Sequence, residues 1–381
     1  MELSTLGRDY SKKDVIDGFN SVIWTERYYG DSEVELVVSE TLEMISKLPI
    51  GTFLGLEGSD ELMIIESMNI EGDNKIKFSG IGILPWLNNR FVRASALHQD
   101  QYWYIDASSP GWVLWAIVYN MCCQGSPYLS GANPINIANP EQFIIPGLGL
   151  DDYDTSGDPV KVGVPYGPVY TALREIATTY EIGMQIKYDP EGPNPLAFRS
   201  YKGIDRTTEQ TTNPVVRFSP QMDSLTNIKE LQSIAALKTL VYTFAPGLNP
   251  AEGADPPEPE LRTTPGVSAL TGTQYTGFDL RALMVFASDI TTDQVGGSST
   301  VLLDILNSRA RDELMKNKFV KTVDGEIVPE NQFQYGIHYN LGDIVEVEGK
   351  TGTVQAARVT EYIRSEDSTG EKAYPTLAAI E

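Results

Sequence analysis

The sequence is poor in the residues on which most enzyme sites and exported proteins depend. Its 381 residues include two cysteines and two histidines. Cys122 and Cys123 are neighbours, and a disulfide between adjacent residues would need a strained ring. We therefore expect two reduced thiols that pack as small hydrophobic side chains, in a protein that needs no oxidising compartment.

Basic residues are also scarce. Lys and Arg number 29 against 52 Asp and Glu, which gives a net charge of -23. Nucleic-acid binding depends on a basic surface, so this composition argues against specific nucleic-acid binding. No apolar run approaches the ~20 residues of a membrane span, and the first residues lack the order of a signal peptide. We expect a soluble protein with no membrane span.

Catalytic constellations are hard to build from this composition. A histidine-dependent hydrolase would need His98 or His338 beside a thiol or hydroxyl, and the sequence contains no Gly-x-Ser-x-Gly motif. Paired carboxylates at ~5–10 Å arise by chance in any fold with this many acids. We predict no catalytic residues, no cofactor and no metal, and thus no enzyme.

Two glycine motifs come close to nucleotide-binding signatures. Lys350 lies in Gly-Lys-Thr, but Ile344 stands where a phosphate loop needs its first glycine. Gly80 and Gly82 follow a predicted strand, but Pro85 replaces the third glycine. We interpret the first motif as a hairpin turn and the second as a tight or bulged strand end after which no helix begins.

The acidic segment from Asp151 to Asp158 resembles the opening of a calcium loop. Asp152, Asp154 and Gly157 have the required spacing, but glycine replaces the glutamate at the twelfth position. An acidic surface turn is the preferred interpretation, and a weakly held cation is the alternative.

Strand patterns dominate the chain. Runs of β-branched and aromatic residues between turn signals predict strands at 22–29, 34–39, 52–56, 61–70, 75–84, 183–188, 195–201, 215–218, 239–244 and 280–287, with three more in the last forty residues. Helical periodicity predicts a buried helix at 112–123, an amphipathic helix at 168–181 and a long helix at 299–317 with an outer Asp312–Lys316 pair. Segment 225–236 is ambiguous, 125–167 is a loop-rich acidic stretch, and the Pro-rich tract 246–266 reads as an exposed loop or mobile arm.

Both ends of the chain carry a family resemblance. The segments are 6–10, 15–19 and 21–29 near the start, and 335–345 and 358–367 near the end. Together they resemble the minor tail proteins of siphophages, the hub region at the start of tail-associated lysins and the central baseplate hub of contractile-tailed phages.

The resemblance implies an α+β, mostly β fold with two small β-barrel domains and two mixed α/β domains. The implied divisions are a first barrel at 1–105, a helix-containing domain at 106–214, a second barrel at 215–298, and a helix with strands that complete that barrel at 299–381. It favours strands at 225–236. Three chains would form a pseudo-sixfold homotrimeric ring.

The resemblance also implies a task in the virion. A tail-tip hub joins the distal tail protein and tape measure protein to the tip fibre or spike, and viral DNA passes through the ring. Such a protein is made in the host cytoplasm. The sequence stops after the last hub strand, so we expect no attached lysin domain. The alternatives are a carbohydrate-binding adhesin of the tail tip and a cell-wall hydrolase.

Overall fold

The computed structural model describes residues 1–71, 74–92, 102–129, 139–245, 262–264, 275–287, 299–328 and 332–380. The chain forms a larger unit of Met1–Ile228 with Asp324–Glu381, and a smaller unit of Lys229–Val323. This division is coarser than the four predicted domains, whose boundaries stay a prediction. The α+β, mostly β character that the sequence predicts is confirmed.

Strands make up most of the regular secondary structure of the larger unit. They are β1 Leu3–Leu6, β2 Lys12–Ile16, β3 Phe19–Arg27, β4 Glu33–Ser39, β5 Phe53–Leu56, β6 Leu62–Glu71, β7 Lys75–Gly82, β8 Phe91–Val92, β9 Tyr102–Ala107, β10 Leu148–Leu150, β11 Val160–Pro165, β12 Gly167–Pro168, β13 Gly183–Tyr188, β14 Leu196–Tyr201, β15 Arg217–Phe218, β21 Ile344–Glu348, β22 Val354–Asp367 and β23 Gly370–Ala379. Its helices are α1 Leu42–Lys47, α2 Ile83–Trp86, α3 Pro110–Cys122 and α4 Val169–Thr179.

The smaller unit contains β17 Leu240–Ala245, β18 Arg262–Thr264, β19 Ala282–Phe286 and the long helix α5 Ser299–Lys316. The paired strands β16 Leu225–Ser233 and β20 Val320–Ile327 contain the two points at which the chain passes between the units. Segment 225–236 therefore begins as a strand, as the resemblance favours. Residues 262–264 of the Pro-rich tract form β18, and most of the tract lies outside the described residues.

One large sheet organises the larger unit. Its described strands follow the order β15-β21-β22-β3-β4-β7-β6-β5-β1-β2, and β23 pairs with β22. The pairing of β22 with β3 places the end of the chain beside its beginning. Among the described strands the path is open, since no pairing joins β15 to β2.

Apolar residues on both faces of this sheet are buried. Successive side chains of a strand point to opposite faces. Phe53 and Ile64 accordingly belong to the core around α3 and α4, whereas their neighbours Leu54 and Ile65 belong to a second core around Trp24. This burial on both sides explains why β5 and β6 read as nearly continuous apolar runs.

The two predicted helices of the middle segment are confirmed. The Ser109 hydroxyl accepts a hydrogen bond from the Trp112 amide (3.3 Å) and caps α3, which starts at Pro110 and is buried along most of its length. In α4 the buried residues Leu173 and Ile176 lie on the predicted apolar face. Among the described helices, none is long and apolar enough to cross a membrane.

Two local expectations are wrong, and a third segment contains strands that the sequence does not predict. A short helix, α2, does begin after Gly82, because Pro85 falls in its first turn, where a proline is tolerated. The loop-rich stretch 125–167 contains β10 and β11, which pair with neighbouring strands despite the many turn residues around them. Lys316 pairs with Glu313 (2.8 Å), one turn back along the helix, and not with Asp312.

A bulge does lie beside Gly80, but it is in the partner strand β6 and not at the end of β7. The register of β6 against β7 shifts between Ile65 and Ser67, opposite Gly80. A Cβ atom on Gly80 would lie 2.5 Å from the carbonyl oxygen of Ile64. The glycine is therefore required by the close approach of the two backbones.

Candidate functional site

The segments that carry the family resemblance lie side by side. In the antiparallel pair β3–β22, Trp24 is opposite Arg364, Glu26 opposite Tyr362, and Arg27 opposite Glu361. Residues more than three hundred positions apart thus form one surface and one set of contacts. We call this region the terminal junction.

A buried ion pair lies at the centre of the terminal junction. The Arg364 guanidinium forms an ion pair with the Glu26 carboxylate and donates to the Gly58 carbonyl (3.0 Å). The same carboxylate accepts hydrogen bonds from the Trp24 indole (3.2 Å) and the Ser59 hydroxyl (2.6 Å). Since the side chains of Glu26 and Arg364 are 6% and 12% exposed, each charge depends on the other for compensation.

A second carboxyl group, Glu61, is buried nearby. Burial is the main cause that raises its pKa to about 8, and the negative charge of Glu26 raises it further. Hydrogen bonding to Ser32 and Gln185 opposes this shift without cancelling it. The raised pKa favours the protonated form of Glu61 near neutral pH.

Aromatic side chains surround these charges. The rings of Tyr335 and Tyr362 are stacked at 3.7 Å with an angle of 10° between them. Tyr28 donates through its hydroxyl to the carbonyls of Glu181 (3.0 Å) and Tyr201 (3.3 Å), and burial raises its pKa to about 12. The tyrosines thus act as neutral donors and packing surfaces.

A further ion pair, between Arg358 and Glu181, holds the C-terminal strands to the middle of the chain. The Arg358 guanidinium forms this pair with the Glu181 carboxylate at 2.7 Å, and it also donates to the Gly342 carbonyl (3.1 Å). Glu181 is half exposed in this pair, whereas Arg206 and Asp343 form a buried pair at 2.6 Å. These charged side chains therefore have a structural role, because they join distant segments of the chain.

Glu346 is also held by hydrogen bonds and an ion pair within the fold. Burial alone would raise its pKa, but hydrogen bonds from Thr208 and the ion pair with Arg217 lower the pKa below its ordinary value. The carboxylate accepts from the Thr208 hydroxyl (2.6 Å) and pairs with Arg217 at 2.7 Å. A carboxylate so fully used is a poor general base.

Within the described residues, no thiol or hydroxyl group is hydrogen-bonded to the His338 side chain, as a histidine-dependent hydrolase site would need. This histidine is exposed, and its Nδ1 accepts a hydrogen bond from the Gln334 amide (2.9 Å). Cys122 ends α3 and Cys123 follows it, both in the core, and burial raises the pKa of the Cys123 thiol to about 12. His98 lies outside the described residues.

The acidic segment from Asp151 to Asp158 is fastened to the start of α3. The Asp154 carbonyl accepts from the Ser109 hydroxyl (2.8 Å), and the Asp154 carboxylate accepts from the Ser156 hydroxyl (2.7 Å). The Trp115 indole donates to the Asp151 carbonyl (3.3 Å). Within the described ranges, no group of three or more His, Cys, Asp or Glu side chains is placed to hold a metal ion.

The Gly-Lys-Thr motif forms the predicted hairpin turn. It joins β21 to β22, and the Gly349 amide donates to the Thr353 carbonyl (2.8 Å). Because two antiparallel strands flank the motif, it does not lead into a helix N-terminus as a phosphate loop does.

Sequence reasoning identified the segments of the terminal junction but missed Glu61 and the pairing of Glu26 with Arg364. A usable signal was present. Glu26 lies among apolar and aromatic residues in a strand that reads as buried, and a buried charge requires an opposite partner.

The fold is that of phage tail proteins. The structure is similar over 99% of this chain and 97% of the other to the 43 kDa tail protein of prophage MuSo2 from Shewanella oneidensis, with a TM-score of 0.55 and 13% identity. It is similar to prophage tail protein gp18 from Listeria monocytogenes EGD-e (TM-score 0.51, 11% identity, 99% and 94% covered) and to a tail protein from Neisseria meningitidis MC58 (TM-score 0.51, 11% identity, 100% and 96% covered).

The family assignment comes from the sequence itself. Residues 5–254 and 261–377 match the model of the siphovirus ReqiPepy6 Gp37-like proteins, and the chain belongs to that family. No curated protein matches the chain. The resemblance to siphophage tail proteins that the terminal segments indicate is therefore confirmed.

The raised pKa of Glu61 predicts how stability depends on pH. The folded larger unit keeps a proton on Glu61 between the ordinary pKa of 4.5 and about 8, where the unfolded chain has lost it. The contribution of this proton to the free energy of unfolding is fully present below pH 4.5 and is lost as the pH rises toward 8. The free energy of unfolding of the wild type should therefore fall between pH 5 and pH 8 by at least ~1 kcal/mol more than that of Glu61→Gln, which has no carboxyl group to titrate at this position.

Urea unfolding at both pH values, followed by tryptophan fluorescence, measures this difference. All five tryptophans belong to the larger unit, so the signal reports its unfolding. Other titrating groups are common to both proteins and cancel in the comparison. Parallel pH profiles for the two proteins would show that Glu61 titrates normally.

Proposed function

We propose that this chain is a structural, non-enzymatic hub of a siphophage tail tip that works as a homotrimeric ring. The family and fold support a structural role in the tail. Glu26 and Arg27 of the terminal junction form ion pairs with Arg364 and Glu361, far along the chain. Such pairing is consistent with a structural role and leaves these groups unsuited to catalysis.

The observation that carries the ring is an uncovered apolar sheet face in the smaller unit. We call it the open face and define it as Tyr242, Phe244, Met284 and Phe286. In the parallel pair β17–β19, Tyr242 lies opposite Met284 and Phe244 opposite Phe286, whose rings stack at 5.6 Å. Met284 is 58% and Phe286 65% exposed.

Alternation along the strands explains why this face stays open. Val241 and Val285 point to the other side of the sheet, where they pack with Ala310 and Leu314 of α5. The Thr243 hydroxyl donates to the Leu306 carbonyl (3.2 Å) and fixes the helix on that side. A contiguous apolar patch of this kind marks an interaction surface.

A second copy of the chain is the occupant we assign to the open face. Ring closure covers such faces by placing each protomer against the next one. The described strand path of the larger unit supports this assignment. It ends in two edge strands, β2 and β15, with which strands of a neighbouring chain can pair. We extend the proposal to two barrel domains per chain and a pseudo-sixfold ring.

The proposed place of this ring is between the tail tube and the tip. There it would contact the distal tail protein and tape measure protein on one side and the fibre or spike on the other, in a virion assembled in the bacterial cytoplasm. The net charge of -23 per chain supports a channel through which DNA passes without binding, because like charges repel.

The test is the oligomeric state of an open-face variant. Met284→Asp combined with Phe286→Asp places two carboxylates where the neighbouring copy would bury apolar surface, so we expect a trimeric wild type and a monomeric variant. Native mass spectrometry and sedimentation velocity measure this directly. Leu42→Asp is the matched control, since Leu42 is 87% exposed but lies on α1, and it should stay trimeric.

A wild-type protein that stays monomeric at tens of micromolar concentration contradicts the ring. So does a double variant that remains trimeric. The hydrolase alternative has its own measurement: turnover of peptidoglycan by the wild-type chain that His338→Ala abolishes would replace the structural role with an enzymatic one. Binding of the isolated chain on a glycan array would favour the adhesin.

A further inference from the structure

The larger unit contains an apolar cavity that plays no part in the proposed ring. Its volume is about 160 Å³, and it lies where β1, β5 and β6 meet α2 and the segment before β10. Apolar side chains form most of its wall, namely Phe53, Ile64, Ile83, Ile145 and Leu196. An apolar cavity of ~150 Å³ is large enough to hold one benzene ring.

The wall on the side of β1 is held rigidly by Tyr10, which belongs to the first segment of the family resemblance. Tyr10 has a positive φ of 62°, which is uncommon for a residue with a side chain. Its hydroxyl donates to the Pro146 carbonyl (2.5 Å), its own carbonyl accepts from the Tyr188 hydroxyl (2.9 Å), and its ring stacks on Phe53. Strained backbone that is fixed from several sides is typical of functional sites.

Two arginines line the same cavity. The Arg8 guanidinium lies 4.8 Å from the centre of the Phe53 ring, and that of Arg90 lies 5.0 Å from Trp86. Arg90 also donates through Nε to the Phe143 carbonyl and through Nη1 to the Asn89 carbonyl, both at 3.0 Å. Aromatic faces and carbonyls therefore orient these two cations.

Neither arginine forms an ion pair with a carboxylate of the described residues, whereas Arg27, Arg206, Arg217, Arg358 and Arg364 all do. Acids outnumber bases 52 to 29, so partners are plentiful in this chain. Two oriented guanidinium groups beside an apolar cavity are arranged to receive a carboxylate whose apolar portion enters the cavity.

We propose that this cavity binds a segment of a partner polypeptide in which an aromatic residue is next to an acidic one. The ring fills the cavity, and the adjacent carboxylate pairs with Arg8 and Arg90. The choice of a polypeptide over a small organic acid rests on the proposed function, because a part of a tail assembly meets other proteins. The cavity volume is the basis for choosing an aromatic ring, and the two arginines are the basis for choosing an adjacent carboxylate.

Four probes test the two halves of the ligand separately. They are N-acetyl-Phe-Glu-amide, N-acetyl-Phe-Gln-amide without the charge, N-acetyl-Ala-Glu-amide without the ring, and 3-phenylpropionate as a free acid. Binding to the full chain is followed by the isoleucine methyl signals of Ile64, Ile83 and Ile145. Ile76, which is buried in the opposite core, serves as an internal control.

We expect the Phe-Glu probe to bind with a Kd on the order of 1 mM and to shift the three cavity methyl signals. The uncharged and ring-free probes should bind at least ~10-fold more weakly, a difference of about 1.4 kcal/mol. Equal binding of the Phe-Glu and Phe-Gln probes, binding of 3-phenylpropionate alone, or no shift at 10 mM probe would each overturn the proposal.

Variants connect the binding to the named residues. Arg8→Gln and Arg90→Gln should each weaken binding of the Phe-Glu probe by ~10-fold and leave that of the Phe-Gln probe unchanged. Ile145→Phe fills the cavity and should abolish the methyl shifts. Arg174→Gln, which removes a surface arginine paired with Asp31, is the matched control and should bind like wild type.

The outcome is separate from that of the ring. Probe binding is measured on the wild-type chain whatever its oligomeric state, and the open-face variant should bind the Phe-Glu probe as wild type does. A monomeric chain that still binds the probe through Arg8 and Arg90 would refute the ring and leave the binding cavity standing.

Discussion

Replacing Arg364 by alanine is expected to lower the free energy of unfolding of the larger unit by ~3–5 kcal/mol. The change removes the cation that compensates Glu26 inside the terminal junction. Glu26 then keeps the donors from Trp24 and Ser59, but it remains a buried negative charge beside the second carboxyl, Glu61. The Gly58 carbonyl also loses the hydrogen bond from Arg364.

Chemical unfolding followed by tryptophan fluorescence measures this loss in the larger unit. Arg364→Lys keeps a positive charge but not the fork that reaches both Glu26 and Gly58, so it should fall between alanine and wild type. The double variant Glu26→Gln with Arg364→Met removes both charges and should recover most of the loss. Arg174→Ala breaks an exposed pair with Asp31 and should cost less than ~1 kcal/mol.

A loss below ~1 kcal/mol for Arg364→Ala, or a double variant no more stable than the single one, would show that the pair is not mutually dependent. In that case the terminal junction would be held by strand pairing and aromatic packing alone. The stacked pair of Tyr335 and Tyr362 would then be the next contact to remove.

Local patterns predicted much of the fold because the relevant physics is local. The strand β13 has the predicted bounds, and the helices α3 and α4 lie within two or three residues of theirs. Their apolar periodicity matches the face that becomes buried. Longer-range facts were beyond such patterns, since no periodicity in Phe19–Arg27 shows that this strand pairs with Val354–Asp367.

The same limit applies to the two sites. The segments of the terminal junction were identified by their resemblance to a family, but the contacts of Glu61 with Glu26 and Gln185 arise from three separated stretches of chain. Likewise Arg8 lies in segment 6–10 of the family resemblance, whereas no motif or periodicity of the sequence points to Arg90. Their shared cavity depends on packing among strands and helices that a sequence pattern does not fix.

A second close contact in the larger unit joins Gly203 to the turn before β21. A Cβ atom on Gly203 would lie 1.9 Å from both the carbonyl carbon and oxygen of Gly342. This approach is locked on both sides: the Ile204 amide donates to the Asp343 carboxylate (2.8 Å), and the Ile344 amide donates to the Ile204 carbonyl (2.9 Å). The two backbones cannot separate without breaking these hydrogen bonds.

Gly203→Ala is therefore expected to lower the free energy of unfolding of the larger unit by about 3 kcal/mol, at the upper end of the range for overpacking. The added methyl group meets backbone, which cannot rotate away as a side chain can. Urea unfolding followed by tryptophan fluorescence provides the measurement. Gly167→Ala is the matched control, because a Cβ atom there meets nothing within 4 Å, and it should change stability by less than ~0.5 kcal/mol. Equal unfolding midpoints for the two variants would mean that the segment at Gly203 yields freely, and that the ion pair of Arg206 with Asp343 does not hold it in place.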